Sequence, residues 1–248
     1  MEPRFVGRLS AADAVTVANA GLGFFAIVAA FDDPRLAARF VLLAGIADGL
    51  DGVLARAYGS SAAGEYLDSL ADVSSFSLAP AVMVFAAVRE GWDVTFDAMT
   101  PTATLVAAVP AGFVAMGVLR LGMYTAFDTE MDATQGVPST LAATLLAAAV
   151  LSGVADPAVL LAATGTFVYL MVSPVRYPDL HASDALVMGV VHAGAVLFPA
   201  ALNRTFPLSL LTLAGSYMVL APWLYWRGDW VMGRLHGGEA APEGPSGE

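Results

Sequence analysis

Four aspartates at the junction of two apolar stretches are the residues of this chain most suited to chemistry. The sequence reads Asp48-x-x-Asp51-Gly52-x-x-Ala55-Arg56 and then Gly64-x-x-x-Asp68-x-x-x-Asp72. A charged side chain near the centre of a bilayer costs at least about 2.5 kcal/mol, so ionisable residues in spanning helices usually pair, bind ions or react. We therefore expect the function to reside in this cluster.

The spacing of the aspartates places each pair on one face of a helix. Asp48 and Asp51 are three residues apart, and Asp68 and Asp72 are four apart, which are the separations of helical neighbours. Two helices joined by a short turn can bring all four carboxylates together, and such a group of like charges needs a counter-charge. Hard divalent cations prefer oxygen ligands. We predict two ions, Mg²⁺ or Mn²⁺, held by the four aspartates.

Small residues and an arginine beside the aspartates indicate room for a phosphorylated ligand. Gly52 lacks the Cβ that would block a ligand, and Ala55 leaves similar room one turn later. Arg56 is placed to add a charge-assisted contact. Because Mg²⁺ commonly bridges a few carboxylates to substrate phosphates, these residues predict a diphosphate site.

The composition assigns the chain to the integral membrane proteins. It has 248 residues, of which 58% are hydrophobic and 13% charged, and its mean hydropathy is +0.70. A span needs roughly 20 apolar residues, and such runs predict an all-α, polytopic bundle of about eight helices. The predicted spans are residues 15–31, 36–57, 64–88, 102–127, 139–153, 157–172, 185–202 and 207–226. Because Pro157 could start a helix or kink one, a total of seven spans is the alternative.

The arginines predict the orientation, with both termini and the active site on the cytoplasmic side of the cell membrane. Cytoplasmic segments usually carry the excess of basic residues. With the N-terminus inside, the arginines on that side are Arg4, Arg8, Arg56, Arg120, Arg176, Arg227 and Arg234, against Arg35, Arg39, Arg89 and Arg204 outside. Residues 237–248, rich in glycine, proline and glutamate, are expected to be a disordered acidic tail.

Charge and cysteine content exclude several classes of function. The formal net charge is -11, and all 11 basic residues are arginine, so a nucleic acid is not an expected partner. The absence of cysteine excludes thiolate zinc sites and a cysteine nucleophile. An acidic, lysine-free composition is typical of a high-salt proteome, which favours an archaeal lipid substrate.

The aspartate pattern resembles the signature of the CDP-alcohol phosphatidyltransferase family, D-x-x-D-G-x-x-A-R, a spacer, and G-x-x-x-D-x-x-x-D. Seven residues separate Arg56 from Gly64, whereas the family usually has eight. The residues around Asp72, and the later Gly136-Val137-Pro138-Ser139 and Arg176-Tyr177-Pro178, are similar to the phosphatidylserine and archaetidylserine synthase branch. In the first helix Thr16, Asn19 and Gly23 match that branch, while Asp13 stands where asparagine is expected. The resemblance covers residues 12–178, so we divide the chain into a core (1–178) and added C-terminal helices (179–236).

The resemblance implies an intramembrane enzyme that moves a phosphatidyl or archaetidyl group from a CDP-lipid to an alcohol, L-serine in this branch, and releases CMP. It implies that Asp48, Asp51 and Asp68 bind metal, with Asp72 near the second ion and acting as general base. It also implies that Gly52, Ala55 and Arg56 line the cytidine diphosphate, and that the enzyme is a homodimer among membrane lipids.

The acceptor and two other classes of function stay open. Arg120 and Arg176 are candidates for the serine carboxylate, although arginines that extend to the membrane surface occupy the same positions. Glycerol phosphate or inositol phosphate would be the alternative acceptors, and they call for more basic residues. A cation transporter would be expected to show a related cluster in an inverted repeat, and a prenyltransferase a second aspartate motif. Residues 179–184 offer two aspartates without that spacing.

Overall fold

Helices make up almost all of the described chain. The computed structural model describes residues 6–128, 133–153, 156–178 and 182–236. The helices are α1 (Ala11–Ala30), α2 (Pro34–Tyr58), α3 (Gly64–Asp72), α4 (Ala79–Gly91), α5 (Pro101–Met123), α6 (Ser139–Ser152), α7 (Pro157–Leu170), α8 (Ala182–Leu197) and α9 (Thr205–His236). A π-helical turn, Val73–Leu78, joins α3 to α4, and a second one, Tyr124–Asp128, follows α5.

The helices confirm a polytopic helical membrane protein. Four stretches are long and apolar enough to cross a membrane, and three shorter apolar helices accompany them. The four are Ala11–Ala30, Gly64–Gly91, Pro101–Phe127 and Ala201–Trp223. Helix α2 has 25 residues, but its charged residues, the predicted metal ligands among them, interrupt its apolar run. Within the described ranges the helical segments follow the order of the predicted spans.

Four of the nine helices in the described ranges begin at a residue whose side chain caps the first turn. Ser10 and Asp13 form a capping box at α1, and the side chains of Asp33, Thr100 and Asp156 accept backbone N–H groups at α2, α5 and α7. In the last three a proline follows the cap. Proline suits this position because its missing N–H would have no partner in the first turn.

Two helix ends differ from the predicted ones, and a third boundary decides whether Pro157 starts a helix or kinks one. The seventh predicted span ends at Leu197 rather than at residue 202, because Pro199 cannot continue the helix. The last helix extends to His236, since a helix can continue beyond the apolar run that predicts it. Helices α6 and α7 are separate: Gly153, at φ 80°, ends α6 and Asp156 caps α7. The predicted disordered tail, 237–248, lies outside the described residues.

The core lies where small residues let the first helices approach closely. Helices α1 and α2 pack along buried alanines that include Ala26, Ala30, Ala37 and Ala38. Helix α1 also packs against α3, α4 and the first π turn. Small side chains at helix contacts are the usual means of tight packing in membranes. Helix α1 thus supports both helices that carry the aspartates.

The first π turn is fixed to α1 by two serines. Ser74 donates a hydrogen bond to the carbonyl of Ala20 at 3.2 Å, and Ser75 donates to that of Asn19 at 2.8 Å. A Cβ at Gly23 would lie 2.6 Å from Ser74 Oγ and 2.9 Å from the Ser74 carbonyl carbon. Because the π turn starts directly after Asp72, this contact sets the position of the last aspartate.

We predict that Gly23→Ala destabilises the protein, whereas Gly21→Ala does not. Overpacking of a close contact typically costs about 1–3 kcal/mol, and the atoms facing Gly23 include backbone. A Cβ at Gly21 meets nothing within 4 Å, so Gly21→Ala should be neutral or slightly stabilising in a helix. Thermal unfolding of the purified variants in one detergent measures the difference. Equal midpoints for the two variants would contradict the packing argument.

Two short strands join the loops that precede α6 and α8. Strand β1 (Ala133–Gln135) pairs antiparallel with β2 (Arg176–Pro178), with Gln135 opposite Arg176. Gly136 has φ 75°, and a Cβ there would lie 2.2 Å from the Met171 carbonyl oxygen. Glycine is therefore required where these two loops meet.

Candidate active site

Three carboxylates from two spans meet at one point. One carboxylate oxygen from each of Asp48, Asp68 and Asp72 lies within 4.8 Å of the others. The carboxyl groups of Asp48 and Asp72 are within hydrogen-bond distance of each other. Asp72 is buried, Asp48 is half-buried and Asp68 is exposed. The cluster therefore reaches from the protein interior to an accessible edge.

Asp51 faces helix α1 instead of the centre of the cluster. Its Oδ2 accepts a hydrogen bond of 2.7 Å from the Thr16 hydroxyl, and it is 6% exposed. Its charge still acts on both Asp48 and Asp68. The structure thus brings together three of the four predicted ligands and holds the fourth beside them through a threonine. The sequence had indicated Thr16 only as part of a first-helix pattern.

Arg120 is a basic residue whose charge acts on the buried Asp72. Its guanidinium lies 5.8 Å from the centre of the Tyr124 ring. The hydroxyl groups of Ser69 and Thr125 hydrogen-bond to each other and connect α3 to the second π turn. Each π turn therefore directly follows a helix that carries a residue of the site. Such turns occur frequently at functional sites.

The predicted phosphate-binding residues lie on α2, one turn from the aspartates. The nearest atom to a Cβ built at Gly52 is Nη1 of Arg56, at 3.6 Å, which is an ordinary contact. Ala55 is half-buried and Arg56 is exposed. The protein itself therefore does not require a glycine at position 52.

Most of the chain matches one known protein family. The profile of the CDP-alcohol phosphatidyltransferase family matches residues 9–175, which include every residue of the cluster. The chain belongs to this family.

Curated relatives carry two names. A CDP-diacylglycerol–serine O-phosphatidyltransferase of Saccharomyces cerevisiae is 34% identical over 157 residues, covering 55% of this chain and 52% of the relative. An archaetidylserine synthase of Methanothermobacter thermautotrophicus is 30% identical over 180 residues, covering 70% and 71%. A CDP-diacylglycerol–serine O-phosphatidyltransferase of Mycobacterium leprae is 36% identical over 100 residues, covering 38% and 28%. The chain spans about half the length of the yeast relative.

The two positions that the sequence resemblance marks as unusual lie next to each other. Asp13, where asparagine was expected, hydrogen-bonds to Ser61 in the turn between α2 and α3. The same carboxylate would lie 3.2 Å from a Cβ at Gly64, the residue that starts α3. Asp13 thus ties the first helix to the turn that joins the two aspartate helices.

Arg176 is not brought to the cluster by any contact among the described residues. It lies on β2 and lines a cavity of about 410 Å³ with Tyr177, Met218 and Trp223. The last two belong to α9, a helix outside the matched region. The two arginines that the sequence treated alike therefore occupy different surroundings.

The aspartates fit a hard divalent cation. Two carboxyl groups as close as those of Asp48 and Asp72 need a proton or a cation between them. Oδ1 of Asp72 is buried and has no hydrogen-bond partner among the residues that the structure describes. A buried oxygen without a donor, in an all-carboxylate cluster, matches the ligand preference of Mg²⁺ and Mn²⁺.

Proposed function

We propose that this protein transfers a phosphatidyl or archaetidyl group from a CDP-activated lipid to the hydroxyl of L-serine and releases CMP. The observation that carries the proposal is the convergence of Asp48, Asp68 and Asp72 from two spans in a chain of this family. The names of its relatives favour serine as the acceptor. Membership of the family argues against a cation transporter and against a prenyltransferase.

We infer that Asp48, Asp68 and Asp72 hold Mg²⁺ or Mn²⁺, with Asp51 as a fourth ligand for a second ion. The ions would offset negative charge on the diphosphate and on the departing CMP. Thr16 donates to one oxygen of Asp51 and so holds that carboxylate in place on α2. Gly52, Ala55 and Arg56 bind the cytidine diphosphate, Arg56 through its guanidinium.

Asp72 is the proposed general base. The serine hydroxyl loses its proton to the carboxylate as its oxygen attacks the phosphorus that bears the lipid, and the bond from that phosphorus to the CMP oxygen breaks. Burial holds the Asp72 carboxylate in place, and a carboxylate has two oxygens, so one can face a metal ion while the other accepts the proton. Arg120, beside Asp72, is positioned to bind the carboxylate of the incoming serine.

The test of the function is CMP release from a defined lipid with one acceptor at a time. Purified protein is incubated with CDP-archaeol or CDP-diacylglycerol and with serine, glycerol phosphate or inositol phosphate. We expect release with serine alone, and the product mass identifies both donor and acceptor. Turnover with a phosphorylated acceptor in place of serine would overturn the choice of acceptor but keep the reaction.

Gly52→Ala is expected to lower the transfer rate while the fold is kept. An added methyl meets no close protein atom at this position but enters the space assigned to the diphosphate. Displacement of a substrate by about 1 Å can cost up to a hundredfold in rate. Gly49→Ala is the matched control. Gly49 lies on the same helix, and a Cβ there meets nothing within 4 Å. Equal kcat/KM for both variants would remove Gly52 from the binding site.

Arg120→Gln is expected to raise the KM for serine by about tenfold, the worth of one charge-assisted contact. Arg176→Gln is measured beside it, because Arg176 stays a candidate for the same role. A larger effect of Arg176→Gln would assign the serine carboxylate to the cavity beside α9. Unchanged KM values in both variants would refute recognition of serine by either arginine.

Two further parts of the proposal concern the setting of the site. We infer that the aspartates face the cytoplasmic side of the cell membrane and that the enzyme forms a homodimer. Labelling of single cysteines introduced at Ser60 and Asp97, both exposed and one at each end of the bundle, reports the orientation. The mass of the purified protein in detergent reports the dimer.

A further inference from the structure

Three arginines surround one cavity at the end of the bundle opposite the aspartates. Arg35 and Arg39 of α2 and Arg204, just before α9, line a space of about 290 Å³ together with Asp33 and Leu36. The Asp33 carboxylate already accepts the backbone N–H of Arg35. Three positive charges against one negative charge are notable in a chain whose net charge is -11. The cavity is therefore a local positive region in an acidic protein.

The position of the cavity separates it from the active site. It lies where α2 and α9 begin and where α6 and α8 end. Arg39 precedes Asp48 by nine residues, about 14 Å along the helix, and Arg35 lies one turn farther away. A ligand in this cavity would not touch the aspartates.

Two of the arginines are fixed by bonds that leave most of their donors unused. Arg39 Nε donates to the Val196 carbonyl at 2.8 Å, and Arg204 Nη1 donates to that of Ser152 at 3.2 Å. A guanidinium has five N–H donors. Among the described residues none of the three arginines forms a salt bridge with a carboxylate. Like charges that share a cavity repel each other unless an anion lies between them.

The backbone around Arg204 is strained in a way that places its side chain. Leu202, Asn203 and Arg204 have φ values of 49°, 53° and 64°, a left-handed conformation that is unfavourable for residues with a side chain. A Cβ at Gly153 would lie 1.7 Å from Arg204 Nη1. Both the strained turn and the glycine are needed to bring this guanidinium to the end of α6. Strain of this kind is concentrated at ligand sites.

We propose that this cavity, the outer arginine site, binds the phosphate group of an anionic membrane lipid. Guanidinium groups match phosphate oxygens in geometry and charge. Leu36 lines the cavity and is 39% exposed. Phe31, Phe198 and Leu202 lie within two residues of lining residues in the sequence and are 75%, 59% and 76% exposed. These side chains can contact lipid chains, whereas a free phosphate ion has no apolar part that could contact them.

The experiment is native mass spectrometry of the full-length protein in detergent, titrated with phosphatidylglycerol or phosphatidylcholine. EDTA is present so that the aspartates hold no metal that could bind lipid phosphate. Wild-type protein should bind phosphatidylglycerol at least about tenfold more tightly than phosphatidylcholine. Arg35→Gln combined with Arg39→Gln should abolish this preference, whereas Arg35→Lys, which keeps the charge, should retain most of it.

Arg89→Gln is the matched control, because Arg89 is exposed at the same end of the bundle but does not line the cavity. Thermal unfolding verifies that all variants are folded. The proposal fails if the double variant keeps the lipid preference or if Arg89→Gln loses it equally. It also fails if millimolar inorganic phosphate displaces the lipid, since the site would then recognise the free ion.

Discussion

Asp72→Asn is expected to abolish CMP release while the protein stays folded. The substitution keeps the size of the side chain but removes the negative charge and the ability to accept the serine proton. Loss of a general base typically costs about 10²–10⁴ in rate, and loss of a metal ligand adds to this. Asp97→Asn, in the exposed loop between α4 and α5, is the control and should match wild type. Full turnover by purified Asp72→Asn would end the assignment of Asp72.

The same variant separates a functional cluster from a structural one. In EDTA the three carboxylates repel each other, so removal of one charge should leave the unfolding temperature unchanged or raise it. A buried ion-pair network would behave in the opposite way, because removal of one partner leaves an uncompensated charge. Thermal unfolding of Asp72→Asn in EDTA therefore tests, independently of activity, whether the aspartates form a metal site or a structural ion-pair network.

The aspartate cluster and the helices were predictable because both depend on local periodicity. Spacings of three and four residues fix which side chains share a face of α2 or α3, and a short turn leaves the two helices little freedom. Caps such as Asp33 before Pro34 mark helix starts in the same local way. These features need no knowledge of distant residues.

The features that the sequence missed depend on distant contacts. Thr16 bonds to Asp51 across 35 residues, and no pattern near either residue indicates the pair. Pairing of β1 with β2 joins Gln135 to Arg176 across a complete helical hairpin. For this reason the sequence could not distinguish Arg120, whose charge acts on Asp72, from Arg176, which lines a cavity with residues of α9. The two π turns could not be predicted either, because hydropathy does not distinguish a π turn from an α-helix.

Removal of divalent metal is expected to abolish transfer and to lower the thermal stability of wild-type protein. A ligand at about one hundred times its Kd stabilises the folded state by about 2.7 kcal/mol, which corresponds to a shift of several degrees in a protein of this size. Mg²⁺ or Mn²⁺ added after EDTA should therefore raise the unfolding temperature and restore CMP release. Sodium at matched ionic strength should do neither.

Asp68→Asn should lose this stabilisation by metal as well as the activity, because Asp68 is the accessible member of the three converging carboxylates. Glu65→Gln is the sharper comparison. Glu65 lies one turn earlier on the same helix and is also exposed, but it is not among the three residues whose oxygens converge. It should keep the metal-dependent rise in unfolding temperature. If both variants respond to metal as wild type does, the ion is bound at another site. Loss of a carboxylate that binds the ion would lower the affinity for the metal.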